Sequence, residues 1–288
     1  MARAADRLPE NVPGDFYVDR SCIDCDLCRQ LAPATFARSD ERDMSFVRAQ
    51  PRDEAERHRA FMALVTCPTA SIGAAHKAGA RAAARAFPSP FADEVHFCGY
   101  AAADSYGASS WLVRRAGGNV LVDSPRAARV LMDRVAELGG VRWMFLTHRD
   151  DVADHRAWRD RFGCERVLHR DDLTADTRDV ERVLDGDAPT ALAPDLVAIP
   201  VPGHTRGSAA LLVRDTFLFS GDHLWASDDE RALEAGRDVC WYSWPEQRRS
   251  VARLAEHTFS WVLPGHGRPF HAAPDAMRAE LRRLSASM

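Results

Sequence analysis

Three cysteines spaced two residues apart constrain this chain more than any other feature. Cys22, Cys25 and Cys28 stand in the run CIDCDLC, and Cys67 follows alone with Pro68 directly behind it. Thiolates at that spacing on a tight loop converge on three corners of a cube, and one more from elsewhere in the fold closes it. That is the ligand demand of a single [4Fe-4S] cluster. The bacterial two-cluster run would carry another cysteine three residues further on, where this chain has Ala32. Zinc is the competing reading, but zinc ribbons use two paired knuckles rather than a triplet and a singleton. Unligated, buried thiols are the other alternative. Cys98, Cys164 and Cys240 are scattered and read as core fillers. Seven cysteines are an odd number, and the opening residues lack the apolar core of a signal peptide, so a disulfide framework is not expected.

The residues around the cysteines carry a resemblance. FYVDRSCIDCDLCRQLAPATF followed by VTCPTASIG resembles a bacterial single-cluster ferredoxin over about residues 14 to 75. The resemblance implies a small α+β module, expected at residues 1–75, that carries one electron at a time at low potential. Behind it, AAHKAGARAAARAFPSP is rich in Ala and Arg and ends in two prolines. That composition predicts a connecting helix and then an extended break, a linker at residues 76–90.

Charge narrows the choice of partner. There are 42 acidic and 38 basic side chains, a formal net charge of -4, which gives no electrostatic reason to expect nucleic acid. No apolar run approaches the roughly 18 to 20 residues of a bilayer span, so a cytoplasmic protein with no membrane partner is expected. Lys77 is the only lysine. Schiff-base chemistry and P-loop phosphate binding are therefore excluded.

From Phe91 onward the chain alternates. SSWLVRR and NVLVDSP are apolar, β-branched runs parted by Ala116-Gly117-Gly118, a hairpin signal. PRAARVLMDRVAELGG sets Ala128, Leu131, Met132, Val135 and Leu138 at helical spacing, with Gly139-Gly140 as the stop. VRWMFLTH, ERVLH, LVAIPVPGH, AALLVRD, TFLFSGD and WVLPGHG read as strands, and DHRAWRDRFG and PEQRRSVARLAEHT as helices. Such a set predicts mixed sheets with helices outside them, a layered sandwich over residues 91–288.

The polar residues fall in one kind of place. His148, Asp150, Asp151, Asp154, His155, His204, Asp222 and His266 each sit at a strand end or in the loop after it. Imidazoles and carboxylates delivered repeatedly to strand ends can meet on one rim as a site for one or two transition metals. VLVDSP, THRDDVADH, PGHTRGS, SGDHLW and LPGHG occur in the order found in the metallo-β-lactamase superfamily, which residues 91 to 272 resemble. The resemblance implies an αββα sandwich with a dinuclear site. His148 and His204 would hold the first ion, and Asp154, His155 and His266 the second. Asp222 would bridge the pair, and Asp123 would buttress the site from behind. One segment departs from the pattern. The superfamily has HxHxDH, whereas His148 to His155 here is two residues longer, with an Asp in place of the second His. Counting from His148 makes Asp150 the replacement ligand, with Asp151 as the alternative. A carboxylate there leans the site toward iron or manganese, with zinc still open. Flavin-dependent di-iron proteins of the superfamily also use a carboxylate at this position.

Two metals at a shared carboxylate imply hydrolysis of a small-molecule ester, lactone, thioester or phosphoester. A metal-activated water would be the nucleophile, oriented by Asp154 or Asp222. GASS at Gly107 to Ser110 lacks the glycine of a serine-hydrolase elbow. Trp225, Trp241, Tyr242 and Trp244 read either as walls of an apolar cleft or as core aromatics. About twenty residues follow His266, too few for a separate substrate-gripping domain. Hydrolysis consumes no electrons, so the cluster raises a second reading. In it, a ferredoxin-fed di-iron oxidoreductase is served by a redox partner such as a reductase.

Overall fold

Residues between the cysteines shape the first part of the molecule. The computed structural model describes residues 1–39 and 41–288. In it Asp24 and Asp26 have φ of 57° and 64°, the left-handed region that short polar side chains tolerate. These turns keep the cysteine run out of a continuous helix, and α1 (Leu27–Leu31) starts only after the second cysteine. Contacts divide the chain into two units. The first comprises residues 1–119, 124–141 and 153–158, and the second 120–123, 142–152 and 159–288.

In the first unit, β1 (Phe16–Val18) pairs antiparallel with β4 (Ile72–Ala74), and β2 (Phe36–Ser39) with β3 (Met44–Val47). Helix α2 (Glu54–Thr66) starts at Asp53, whose carboxylate accepts the Glu56 N–H and so satisfies one free donor of the first turn. Phe16, Phe36, Val47, Ala60 and Phe61 close this core, with the rings of Phe16 and Phe61 edge-on at 4.9 Å. The expected linker is packed structure. α3 (Ala80–Arg85) buries Ala83 in the same core, and Phe87 is fully buried against Phe97 and Tyr100. Small alanine side chains let α3 come close, and Gly79 faces the Phe61 ring. β5 (Ser89–Ala92), β6 (Val95–Phe97) and β7 (Trp111–Val113) follow as an antiparallel run. α4 (Arg129–Glu137) buries Leu131 and Val135 from the predicted stripe, and Gly139 and Gly140 follow it at φ of 102° and 72°.

α5 (His155–Phe162) runs from the first unit into the second. There β8 (Val120–Val122), β9 (Trp143–Phe145), β10 (Glu165–His169) and β11 (Arg182–Leu184) pair in parallel. β12 (Thr190–Ala193), β13 (Leu196–Pro200), β14 (Ala209–Val213) and β15 (Phe217–Gly221) form an antiparallel meander. The hairpin β16 (Trp225–Ala226) and β17 (Leu233–Glu234) forms a two-stranded sheet bridged to Arg268 through Ala226, while β18 (Trp261–Pro264) joins β15 in parallel and β19 (Phe270–His271) closes that sheet. α6 (Trp244–Leu254) and α7 (Pro274–Ser287) cover one face of the meander, packing Val251, Leu254, Met277 and Leu281 against Ala210, Leu212, Leu218 and Val262. Leu211, Val213, Phe217 and Phe219 alternate with these and are equally buried, so the opposite face is covered too. Ala209 N–H donates to Thr147 O at 2.8 Å, which ties the end of β9 to the start of β14. Two sheets with helices on the outside are the αββα class predicted, and its consequence is that strand ends collect at one edge. No helix among the described residues is long and apolar enough to cross a membrane.

Candidate functional site

In the second unit the loops after β9, β13, β15 and β18 deliver His148, His204, Asp222 and His266. The Asp222 carboxylate oxygen Oδ2 lies 3.7 Å from Nε2 of both His148 and His204 and 3.8 Å from Nε2 of His266. Asp150 Oδ2 stands 3.8 Å from His148 Nε2 and 3.6 Å from His204 Nε2. These separations exceed hydrogen-bond length, yet they suit donor atoms that share one ion. Two ligand groupings result, His148 with Asp150 and His204, and His148 with Asp151 and Asp222, each with its ligand atoms within 4.8 Å of one another.

The imidazole tautomers follow from the hydrogen bonds behind them. Val239 O can only accept, so His204 Nδ1, 2.6 Å away, carries the proton. Thr147 Oγ1 donates to the Asp123 carboxylate at 3.0 Å, so it accepts from His148 Nδ1 at 3.0 Å. Both rings therefore present a bare Nε2 lone pair to Asp150 and Asp222. Buried His148 Nε2, His204 Nε2, Asp222 Oδ1 and both Asp151 carboxylate oxygens have no hydrogen-bond partner. Lone pairs and carboxylates converging without a donor among them suit a cation. The residues therefore fit a divalent metal.

Charge in the site agrees. Burial pushes Asp123 up to about 8, against the opposing hydrogen bonds from Thr147 and with the charge of Asp222 adding to the rise. Burial likewise drives Asp151 well above the usual carboxylate range, helped by Asp222, Asp123 and Asp150. Burial also works to raise Asp222, but the imidazoles of His266, His148 and His204 outweigh it and hold the group low.

Gly265 packs against both carboxylates. A Cβ there would stand 2.7 Å from Asp222 Oδ1 and 2.8 Å from Asp151 Oδ2, so only glycine leaves them room. Asp151, the alternative to Asp150, is buried beside Asp222, while Asp150 is the partner of His204; the acidic doublet supplies both. Asp154 and His155 belong to the first unit, and neither ligand grouping contains them. Asp154 Oδ2 accepts the Ala127 N–H at 2.8 Å, and His155 is buried at the start of α5. His223 is also buried, and burial lowers it to about 3 with both ring nitrogens unpartnered. Trp241 and Tyr242 are exposed at 62% and 49%, so the core reading of these two fails; Trp244 instead donates its indole N–H to Met288 O. Thr147, Val239 and Gly265 had no signal of their own in the sequence, because their roles arise from backbone placement.

Cys22, Cys25, Cys28 and Cys67 line one pocket in the first unit, walled by Val18, Ile23, Leu27 and Ile72. Ser45 N–H points at Cys22 Sγ at 3.4 Å, and Ser71 N–H at Cys67 Sγ at 3.3 Å. Arg29 pins the loop by bonding Asp24 at 2.6 Å and Asp26 at 2.5 Å, the residues on either side of Cys25. Burial pushes the Cys25 thiol up to about 12, and Cys22 moves the same way. Four thiols converging with N–H donors aimed at sulfur fit a cluster that binds them as thiolates.

Residues 18–74 match the family model described as the 4Fe-4S single cluster domain of Ferredoxin I. Among solved structures, the archaeal metallo-β-lactamase superfamily protein ST1585 from Sulfolobus tokodaii is 16% identical, with 67% of this chain and 86% of that chain covered and a TM-score of 0.45. The DIM-1 metallo-β-lactamase is 18% identical over 69% of this chain and 95% of its own, with a TM-score of 0.48. The metallo-β-lactamase family protein TTHA1429 from Thermus thermophilus is 22% identical over 62% and 74%, with a TM-score of 0.46. No curated protein matches the sequence. Residues 18–74 thus match a single-cluster ferredoxin-type domain, and the second unit gathers candidate metal ligands at its strand ends.

Proposed function

We propose that the second unit is a metal-dependent hydrolase acting on an ester, lactone, thioester or phosphoester bond of a small molecule. The observation that supports it best is the pair of bare imidazole nitrogens, His148 Nε2 and His204 Nε2, facing Asp150 and Asp222 at 3.6 to 3.8 Å. When bound there, a divalent ion polarises a carbonyl or phosphoryl oxygen and makes water a competent nucleophile at neutral pH. His148, His204, Asp150 and Asp222 bind. Thr147 and Val239 hold the two rings in the tautomer that leaves Nε2 free. Asp222, central to the three histidines, is the group proposed to orient the attacking water. Asp154, the other candidate for that role, stays an expectation of the family pattern. In this reading the ferredoxin-type domain carries electrons from a reductase-type partner, or senses redox state, and takes no part in hydrolysis.

A second reading rests on the donor set. Asp150, Asp151 and Asp222 make the site rich in oxygen, which suits iron or manganese, and a covalently joined cluster can feed a di-iron centre. Elemental analysis with Mössbauer spectroscopy on anaerobically purified full chain separates the two. About four irons per chain with zinc or manganese supports the hydrolase, and about six supports the oxidoreductase. A panel of the four bond types then tests hydrolysis directly. Asp222→Asn should abolish turnover and leave the cluster iron in place; unchanged turnover would remove the proposed site.

A further inference from the structure

The cluster loop packs against residues beyond the 18–74 match but within the same unit. Gly107 has φ of 87°, and a Cβ on it would stand 2.7 Å from Cys25 Cβ, 3.1 Å from Pro68 Cγ and 3.2 Å from Cys25 Sγ. The turn around it is tightly closed, with Gly107 N–H on Ala102 O at 2.9 Å and Ala108 N–H on Ser105 O at 2.8 Å. Ala101 N–H donates to Thr66 O at 3.2 Å, one residue before Cys67. Arg126 fastens the same place from the other side, donating to Val65 O at 2.8 Å and to Ala101 O at 2.9 Å. All of these groups belong to the first unit.

The opposite side of this frame holds another segment of the same unit. Buried Ser105 accepts the Ala153 N–H at 3.4 Å through Oγ. Ala127, next to Arg126, donates its N–H to Asp154 Oδ2 at 2.8 Å, and Pro125 O accepts the Trp158 indole N–H at 2.9 Å. One loop and one bracket therefore touch the cluster ligands on one side and residues 153–158 on the other. That short segment carries Asp154 and His155, which the family pattern makes metal ligands.

We propose that the loop Ala101–Gly107, with Arg126, is a positioning device through which a loaded cluster orders residues 153–158. Four thiolates drawn onto one cluster fix Cys25 and Cys67. Fixed cysteines give Gly107 and Ala101 a rigid floor, and Ser105 and Ala127 then hold the segment. Without the cluster nothing ties the four thiols to one another, the floor loosens, and the segment loses its anchors. The inference uses the cluster assignment alone and stands whether or not the second unit is a hydrolase.

Amide hydrogen exchange on the full chain tests it. Protection of residues 153–158 should fall by about tenfold or more when the cluster is stripped by chelator and oxidant, as expected for losing local anchors. Strands β14 and β15 serve as the reference for intact folding. Ser105→Ala in the cluster-loaded protein should raise exchange in the same segment while iron content stays unchanged. Gly107→Ala, whose methyl meets Cys25, should move the cluster's midpoint potential and its electron paramagnetic resonance signal as well as the exchange. If stripping unfolds the whole first unit, the Ser105→Ala result in the loaded chain decides. Unchanged protection in both variants, with an unshifted potential in Gly107→Ala, overturns the proposal.

Discussion

A single hydroxyl and a single missing methyl shape the candidate metal site. Thr147 Oγ1 links the Asp123 carboxylate to His148 Nδ1, so Thr147→Val keeps the shape and removes the relay. The ring of His148 then loses the partner that fixes its tautomer. Metal affinity should fall about 10- to 100-fold, read by competition with a chromophoric chelator, as outer supports of metal ligands generally do. Unchanged affinity would show that Val239 and the carboxylates suffice. Gly265→Ala tests the same centre by steric means. Its methyl would sit 2.7 Å from Asp222 Oδ1, and relief requires the carboxylate to leave the position it shares with His148 and His204. Near-complete loss of the bound ion is expected, with the far-ultraviolet circular dichroism spectrum unchanged; retention of the ion would mean that β18 yields instead.

Strands and helices were more legible than the contacts between them. The 3.6-residue stripe in α4 and the apolar runs of β10, β13, β14, β15 and β18 predicted these elements because each alternates or repeats with one dominant period. α7 carries a comparable stripe, Met277, Leu281 and Leu284, but lies outside the expected elements, since its three apolar positions stand among arginines and small residues that dilute the signal. The ligands His148, His204, Asp222 and His266 were legible because strand-end motifs are local. The connecting helix and extended break expected at residues 76–90 are present as α3 and β5, but the burial of Ala83 and Phe87 was not legible, since burial of small residues depends on what packs over them. Arg166 in β10 shows the same limit. An arginine inside a strand gives no hint that Glu181 will accept bonds of 2.9 Å from both its Nε and Nη2, nor that its side chain will be only 2% exposed. Burial works to raise Glu181, but the hydrogen bonds from Arg166 outweigh it and hold the carboxylate at about 2. A carboxyl group lowered on folding stabilises the native state above its unfolded value of about 4.3, and that stabilisation disappears as pH falls through about 2. Glu181→Gln should therefore cost about 1 to 2 kcal/mol at pH 7, after allowance for solvent screening, because it removes the charge facing a buried guanidinium that still donates to Asp179 O at 2.7 Å. The gap in urea midpoint between wild type and variant should close between about pH 4 and pH 2. A gap that is independent of pH would assign the loss to packing.

At the scale of the whole chain, two separate regions each gather the donors for an inorganic centre. The first unit has its aromatic core and the cysteine cavity; the second collects Asp123, Asp150, Asp151 and Asp222 in one place, with Asp123 and Asp151 buried alongside His148 and His204. Without a cation these carboxylates repel, and desolvation penalises each charge. An ion that binds only the folded state at about a thousandfold excess over its Kd adds roughly 4 kcal/mol. For a region of this size that corresponds to about 8 to 16 °C in Tm. Dipicolinate, a mild chelator, should accordingly lower the transition reported by the tryptophans of the second unit by that order, while the visible absorbance of the cluster persists. Adding zinc or manganese back should restore it, and the ion that restores it most fully is the one the donor set prefers. Asp222→Asn should start from the lowered Tm and respond to neither chelator nor metal, since it lacks the carboxylate that all three histidines share. If the chelated wild type kept its Tm, the four carboxylates would have to be neutralised by protons alone, and the convergence of His148 and His204 on them would serve packing rather than metal binding.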